Sequence, residues 1–406
     1  MTRSESPALI RRASVPAYPN NFHQSSIMTK STLAIILGLL VFGCSPPVNS
    51  NSETGNFELI VSEFERQLQE DIRNDNIDGS ISAAIIKGDK IVWSKAIGYA
   101  DRERKAPADT STIYRTGSIS KSFTAFLMMQ LVEEGVIQLT DPIELYLPEI
   151  KKLQEYSDLT KITFLQLSTH TSGLIREPAL EGAASGSIEN WENKIIQSIP
   201  KTSFKNRPGE KFSYSNIGYG ILGLSLSRAA KRPFIELVKD KIFVPLKMHS
   251  SYFQIPGDIT ARLAKGMSRE TVGEIDTETP KIEHAGRGYK VPNGGIYSTP
   301  NDLAKFMMCN MGYHSLLKGE TLDLMQTVKA SDGNKYGLGF FIVEDKSINI
   351  VEHGGAVSGY TAQLAFEKNS KYGVVIMRNY DQGTTDLFAR SCSLLKDLKK
   401  LETMKK

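Results

Sequence analysis

Apolar residues recur at helical spacing through FELIVSEFERQLQEDIRND (Leu59, Phe64, Leu68, Ile72), so the folded part of the chain opens with a helix. SISAAIIKGDKIVWSKAIGYAD then gives two strand-like runs around KGDK, the pattern of a β-hairpin. Far downstream the same pattern returns. YGLGFFIV, SINIVEHGG, YTAQLAFEK and YGVVIMRN read as four strands separated by Gly, Asp, Lys and Asn, and Thr384 to Leu401 is again helical. The stretch between, roughly 118–330, is dominated by helix patterns and long loops, with no internal repeat. Strands at both ends of a helical middle predict one antiparallel sheet assembled from the two termini. Helices pack on that sheet, and the middle forms a second, mostly helical lobe. The fold class is α+β, and a cleft between the lobes is the expected place for a site.

Composition adds limits. With 40% hydrophobic and 23% charged residues among 406, the chain is globular and not a disordered polymer. Its net charge of +4 is largely a leader effect: Arg3, Arg11, Arg12 and Lys30 stand against Glu5, and residues beyond 43 hold 45 basic and 44 acidic side chains. Bulk charge therefore gives no reason to expect nucleic acid as a partner. Three cysteines cannot build a disulfide framework, and Cys309 and Cys392 sit in apolar contexts that favour buried thiols. Cys44 differs. It closes an uncharged run of 11 residues from Leu33 to Gly43, behind Met28 and Lys30, too short to span a bilayer. VFGC followed by SPP resembles the lipobox of bacterial lipoproteins, which implies lipidation of Cys44 and a membrane-anchored protein on the periplasmic or extracytoplasmic side of a bacterial cell envelope. The expected organisation is an extension over 1–27, disordered or untranslated, a signal peptide over 28–43 and a flexible tether over 44–58. One domain over 59–397 and a Lys-rich tail over 398–406 complete it.

The chemistry gathers in three short segments. In YRTGSISKSFTAFLMMQLVEEG, Ser118 and Lys121 stand three apart at the start of an apolar helix. Residues i and i+3 share a helix face, so the lysine can reach the hydroxyl, and backbone N–H groups at a helix start favour negative charge there. That is the arrangement of an activated nucleophile. Ser-x-x-Lys recurs at Ser198/Lys201, Ser315/Lys318 and Ser393/Lys396, but only Ser118 follows a glycine at a helix start. In FSYSNIGYGILG, Tyr214 and Asn216 alternate on one side of an extended turn. A tyrosine beside a lysine loses its proton more readily and can serve as general base, while Asn216 can donate to a substrate amide and accept from Lys121. In EHGGAVSGYTAQLAF, His353-Gly354-Gly355 ends a strand, and the glycines let a substrate lie against the backbone. The Ala356 N–H is a natural oxyanion donor beside that of Ser118. Each segment alone has a bland reading: an N-cap, a polar turn, a tight turn.

Their order decides. Ser-x-x-Lys, Tyr-x-Asn 96 residues later and His-Gly-Gly 139 beyond that resemble the serine hydrolases of the class C β-lactamase and penicillin-binding type, a family that includes D-alanyl-D-alanine carboxypeptidases, D-amino-acid peptidases and carboxylesterases. IYRTGSISKSFTA, LQLSTHTSGL, PGEKFSYSNIGYGILG, PLKMHSSYF, NGGIYSTPNDLAKFM and YGLGF extend the resemblance over about 59–397. It implies that Ser118 is acylated, that Lys121 and Tyr214 share the acid/base work, and that Asn216, His353, Gly355 and Ala356 bind substrate. It departs where class C β-lactamases carry Lys-Thr-Gly. The lysine and hydroxyl that meet a β-lactam carboxylate are replaced by His353 and Gly354, so an ester or a D-amino-acid peptide is the expected substrate ahead of a β-lactam. A β-lactamase and a pseudoenzyme that only recognises cell-wall peptide are the alternatives. His170, in the family-like segment STHTSGL, reads as a structural loop residue; His249 and His284 have no partners at metal-ligand spacing, and no phosphate loop, dinucleotide fingerprint or zinc pattern is present, so no cofactor or metal is expected. The partner is a small-molecule or peptide substrate; nothing in the sequence sets an oligomeric state.

Overall fold

Phe64 and Leu68, read above as one face of an opening helix, are buried on α1 (Ser50–Asp75). The computed structural model describes residues 50–403 apart from 270–273, 285, 332–334 and 345. The hairpin forms as expected: β1 (Ser80–Lys87) turns through Gly88 into β2 (Lys90–Asp101), followed by a short β3 (Ala106–Pro107). Near the other end come β4 (Ala330–Ser331), β5 (Lys335–Tyr336), β6 (Phe341–Glu344), β7 (Asn349–Val357), β8 (Tyr360–Glu367) and β9 (Tyr372–Arg378). The nine pair in the order β3-β2-β1-β9-β8-β7-β6-β5-β4, antiparallel throughout. Chain ends meet at the β1–β9 pair, where Ala83 faces Ile376. The mixed α+β architecture read from the sequence is the one observed.

Burial on both faces explains why the central strands are apolar without interruption. On one face, Ile81, Ala83, Ile85, Val374 and Ile376 pack under α1 and the C-terminal helix, which spans Leu387–Thr403. On the other face lies the helical part: α2 (Ser120–Glu133), α3 (Asn216–Ala230) and α4 (Pro300–Asn310), the last bringing Phe306 into a stack on Phe123 at 3.7 Å. The C-terminal helix, on the α1 face, is α5. Both α2 and α3 are buried around nearly their whole circumference, as central helices must be when apolar residues surround them.

The ends depart from expectation. Helix α1 already runs at Ser50, inside the stretch read as a tether, because extending a nucleated helix costs far less than starting one. The tail from 398 is likewise part of α5: Leu398 is buried, Lys399 pairs with Glu367 at 3.0 Å and Glu402 with Lys87 at 2.5 Å. YGLGFFIV supplies two strands, not one, since Gly337–Phe340 turns between β5 and β6. Cys309 is buried and Cys392 only half-buried. Cys44 and the whole leader lie outside the described residues.

Candidate active site

A turn of 3-10 helix, Gly117–Ile119, runs directly into α2 and carries Ser118 at its centre. From Thr112 to Leu131, Ser118 is the one residue that is not buried. Lys121, one turn further on, has no exposed surface. Its Nζ stands 3.1 Å from Ser118 Oγ and 3.2 Å from the carbonyl oxygen of Asn293. No carboxylate pairs with it among the described residues. Burial, then the charge of Arg176, pull the ammonium well below its ordinary range, with Lys290 and Arg287 adding to the effect against Glu177. A lowered pKa makes Lys121 a readier proton acceptor than an ordinary lysine, and its Nζ stands within reach of the serine proton.

Tyr214 and Asn216 flank the start of α3. Ser215 between them caps the helix, its Oγ accepting from Gly218 N at 3.0 Å and donating to Ile175 O at 2.8 Å. This cap turns Tyr214 toward Lys121, whose Nζ lies 4.8 Å from the ring centroid. Here the electrostatics depart from the sequence-based expectation. Burial pushes the Tyr214 phenol up to about 12, and its hydrogen bond to Ser118 pulls the other way without offsetting that. The phenol stays protonated at neutral pH, which leaves Lys121 as the candidate base and Tyr214 placed to pass a proton on. Asn216 also differs from expectation. It does not meet Lys121: its Nδ2 donates to Glu177 Oε1 at 2.6 Å, and its Oδ1 is buried without a partner among the described residues. Asn293 fills the gap, giving its carbonyl to Lys121 and its Nδ2 to Asn216 O at 3.0 Å.

The third segment arrives on β7. A Cβ on Gly355 would lie 1.9 Å from Thr116 O and 3.1 Å from Ser118 N. One on Gly117, whose φ is +53°, would lie 2.8 Å from Ala356 N. Only glycines allow the strand and the turn to touch. The contact sets the exposed Ala356 beside the backbone of Ser118, the arrangement an oxyanion needs. His353 behaves otherwise than its substrate-binding assignment. It is 1% exposed, its Nε2 3.3 Å from the Tyr336 hydroxyl and its Nδ1 2.7 Å from Gly354 O. Burial, helped by Lys121, lowers it to about 3. A neutral buried imidazole offers a substrate no charge.

Several contributors were not foreseen. Asn293 lies in VPNGG, between a proline and two glycines. Tyr336 opens YGLGF, and Tyr219, three residues after Asn216, donates to Ser168 O at 2.7 Å. Together with His170 these rings wall the inner side of Tyr214: the His170 ring is 4.2 Å from Tyr214, 4.9 Å from Tyr219 and 5.0 Å from Tyr336. His170 accepts from Ser215 N at 3.1 Å, so it fixes the turn and does not face a ligand. The other Ser-x-x-Lys pairs are disposed differently: Ser198 is buried at the end of its helix, Lys318 is exposed near Glu133, and Ser393 is exposed on α5. A cavity of about 310 Å³ lined by Ser315, Lys318 and Glu133 lies at the far end of α2 from Ser118. Among the described residues no cluster of three His, Cys, Asp or Glu can hold a metal ion.

Comparison with known proteins bears on the family and the fold. Residues 65–391 match the sequence model of the family described as Beta-lactamase. Beta-lactamase-like protein 2 of Dictyostelium discoideum is 29% identical over 388 residues, 90% of this chain and 69% of that protein. Protein flp of Staphylococcus aureus strain MW2 is 26% identical over 317 residues, 77% of this chain. The chain spans 61% of the length of flp. Among solved structures, the octameric penicillin-binding protein homologue from Pyrococcus abyssi superposes with a TM-score of 0.71 at 26% identity, over 84% of this chain and 77% of that one.

Proposed function

Because the chain belongs to the Beta-lactamase family, whose members are serine hydrolases acting through an acyl-enzyme, we propose that it hydrolyses small carboxylic esters or amides of D-amino-acid peptides by acylation of Ser118. The observation that carries this reading is the 3.1 Å approach of the buried Lys121 Nζ, which has no carboxylate partner among the described residues, to Ser118 Oγ. Lys121 Nζ takes the hydroxyl proton as Oγ bonds to the acyl carbon. The N–H groups of Ser118 and Ala356 hold the oxyanion. As the intermediate collapses, the bond to the leaving group breaks and that group takes a proton relayed from Lys121 through the Tyr214 hydroxyl. Water then attacks the ester on Ser118 by the same route reversed.

The strand carrying His353 supports the choice of substrate. A charge-assisted hydrogen bond is worth about 1.5–3 kcal/mol, so lacking one costs a β-lactam carboxylate about 10- to 100-fold. Neutral esters need no such contact. Parallel turnover of p-nitrophenyl butyrate, a D-amino-acid peptide amide without a free carboxylate, and nitrocefin tests this: the neutral ester or amide should lead, and nitrocefin should be slow. Nitrocefin hydrolysis more efficient than that of both others overturns the substrate assignment. Anchoring through a lipid on Cys44, at the outer face of a bacterial membrane, completes the proposal and rests on the VFGC segment alone.

A further inference from the structure

Behind the site sit two charges that the mechanism does not use. Arg115, three residues before Ser118, has no exposed surface. Its Nη2 donates to Gly294 O at 3.4 Å, and its Cζ lies 4.8 Å from the Tyr297 ring centroid. Its Nε and Nη1 are buried with no partner among the described residues. Arg287 is 6% exposed; its Nε is likewise buried and unpartnered, and its Nη1 is 3.7 Å from a Glu283 carboxylate that is about half exposed. Both guanidiniums reach the same residue. A Cβ built on Gly294, which is buried, would find Arg287 Nη2 at 3.6 Å and no other heavy atom within 4 Å beyond its own chain neighbours and helix backbone. That side of the glycine is otherwise open, and the unpartnered Nε and Nη1 groups belong to the two guanidiniums that reach it.

A guanidinium keeps its proton at neutral pH. Two of them, buried and repelling each other, are strongly unfavourable without a negative partner. Burial and the charge of Arg115 act together on Arg287, pulling it down to about 9. No protein carboxylate reaches Arg115 among the described residues. Since its free N–H groups have no accessible surface, a small ion suits them better than a substrate carboxylate.

We propose that Arg115 and Arg287 hold a small monovalent inorganic anion, of halide size, beside Gly294. The ion sits one residue from Asn293, whose carbonyl holds Lys121, and offsets the charge of Arg287, one of the groups acting on that amine. It is a built-in counter-ion of the site and not a substrate.

Crystals of the full chain grown without chloride and soaked in bromide test it directly. An anomalous peak in contact with Arg287 Nε and with Arg115 Nε or Nη1 is the expected result. In solution, sodium bromide should raise the melting temperature above that in sodium gluconate of equal ionic strength, by about 2–5 °C at saturation. Gly294→Ala places a methyl at ordinary contact distance from Arg287 Nη2 and should remove that increment; Arg287→Met should reduce it. No peak at this position, or an increment equal in wild type and both variants, overturns the proposal.

Discussion

At the scale of single residues, spacing named Ser118, Lys121 and Tyr214 but not their protonation states. Those depend on burial by segments remote in sequence: Asn293, Arg176 and Arg287 around Lys121, and His170 and Tyr336 around Tyr214 and His353. The expectation of an acidic tyrosine was reversed for that reason. Lys121 carries a stability cost with a definite sign. Its folded-state pKa is lowered, so between that value and the ordinary 10.5 the unfolded chain binds a proton that the folded one does not. Stability therefore rises with pH across that window, and the buried amine penalises folding at neutral pH. Lys121→Met should abolish turnover while raising stability by about 0.5–2 kcal/mol in urea unfolding at neutral pH, and the gain should shrink as pH approaches 10.5. A loss of stability would mean that Lys121 is charged and paired. Tyr214→Phe should lower kcat about 10²–10⁴-fold with little change in KM, since the ring keeps its packing and only the proton carrier is lost. With the phenol at about 12, the pH profile should show one acid limb from Lys121 and none from Tyr214 near neutrality.

At the scale of elements, the site is a contact between a strand and a turn. That β7 would be a strand and 117–131 a helix start was legible from apolar periodicity and from Gly117. That the two touch was not, because 239 residues separate Gly355 from Thr116 and no local pattern records the approach. Gly355→Ala tests the contact. A methyl 1.9 Å from Thr116 O forces β7 away from the turn and separates the two oxyanion donors. Turnover of p-nitrophenyl butyrate should fall about 10²–10³-fold, the value of one such donor, with stability lowered by about 1–3 kcal/mol from overpacking. Wild-type kcat in a folded Gly355→Ala protein would remove Ala356 from the mechanism. His353 shows the limit of motif reading: its place on the strand was plain, but its engagement with Tyr336 depends on a turn in YGLGF that looked like unbroken strand.

For the whole molecule, joining the termini in one sheet was predictable, since strand patterns at both ends needed a partner. The clasp that holds the ends was not. Asp75, at the end of α1, accepts from Tyr380 at 2.8 Å and from the Thr384 N–H at 2.6 Å, and lies 3.8 Å from Arg378, all of them beyond β8 in the chain. Asp75 and Arg378 are both nearly inaccessible. Asp75→Ala leaves that guanidinium uncompensated and should cost about 3–5 kcal/mol in urea unfolding. The site stands on the other side of the sheet from α1 and α5, so Ser118 acylation by the folded variant should proceed at the wild-type rate. Slowed acylation would mean that the clasp also holds the site.

Acylation of Ser118 is the step on which the proposed mechanism turns. Intact-mass and peptide mapping after fluorophosphonate treatment test it most directly. The wild-type chain should gain one adduct, on the peptide containing Ser118, and Ser118→Ala should gain none. An adduct on Ser198, Ser315 or Ser393, or undiminished labelling of Ser118→Ala, would contradict it.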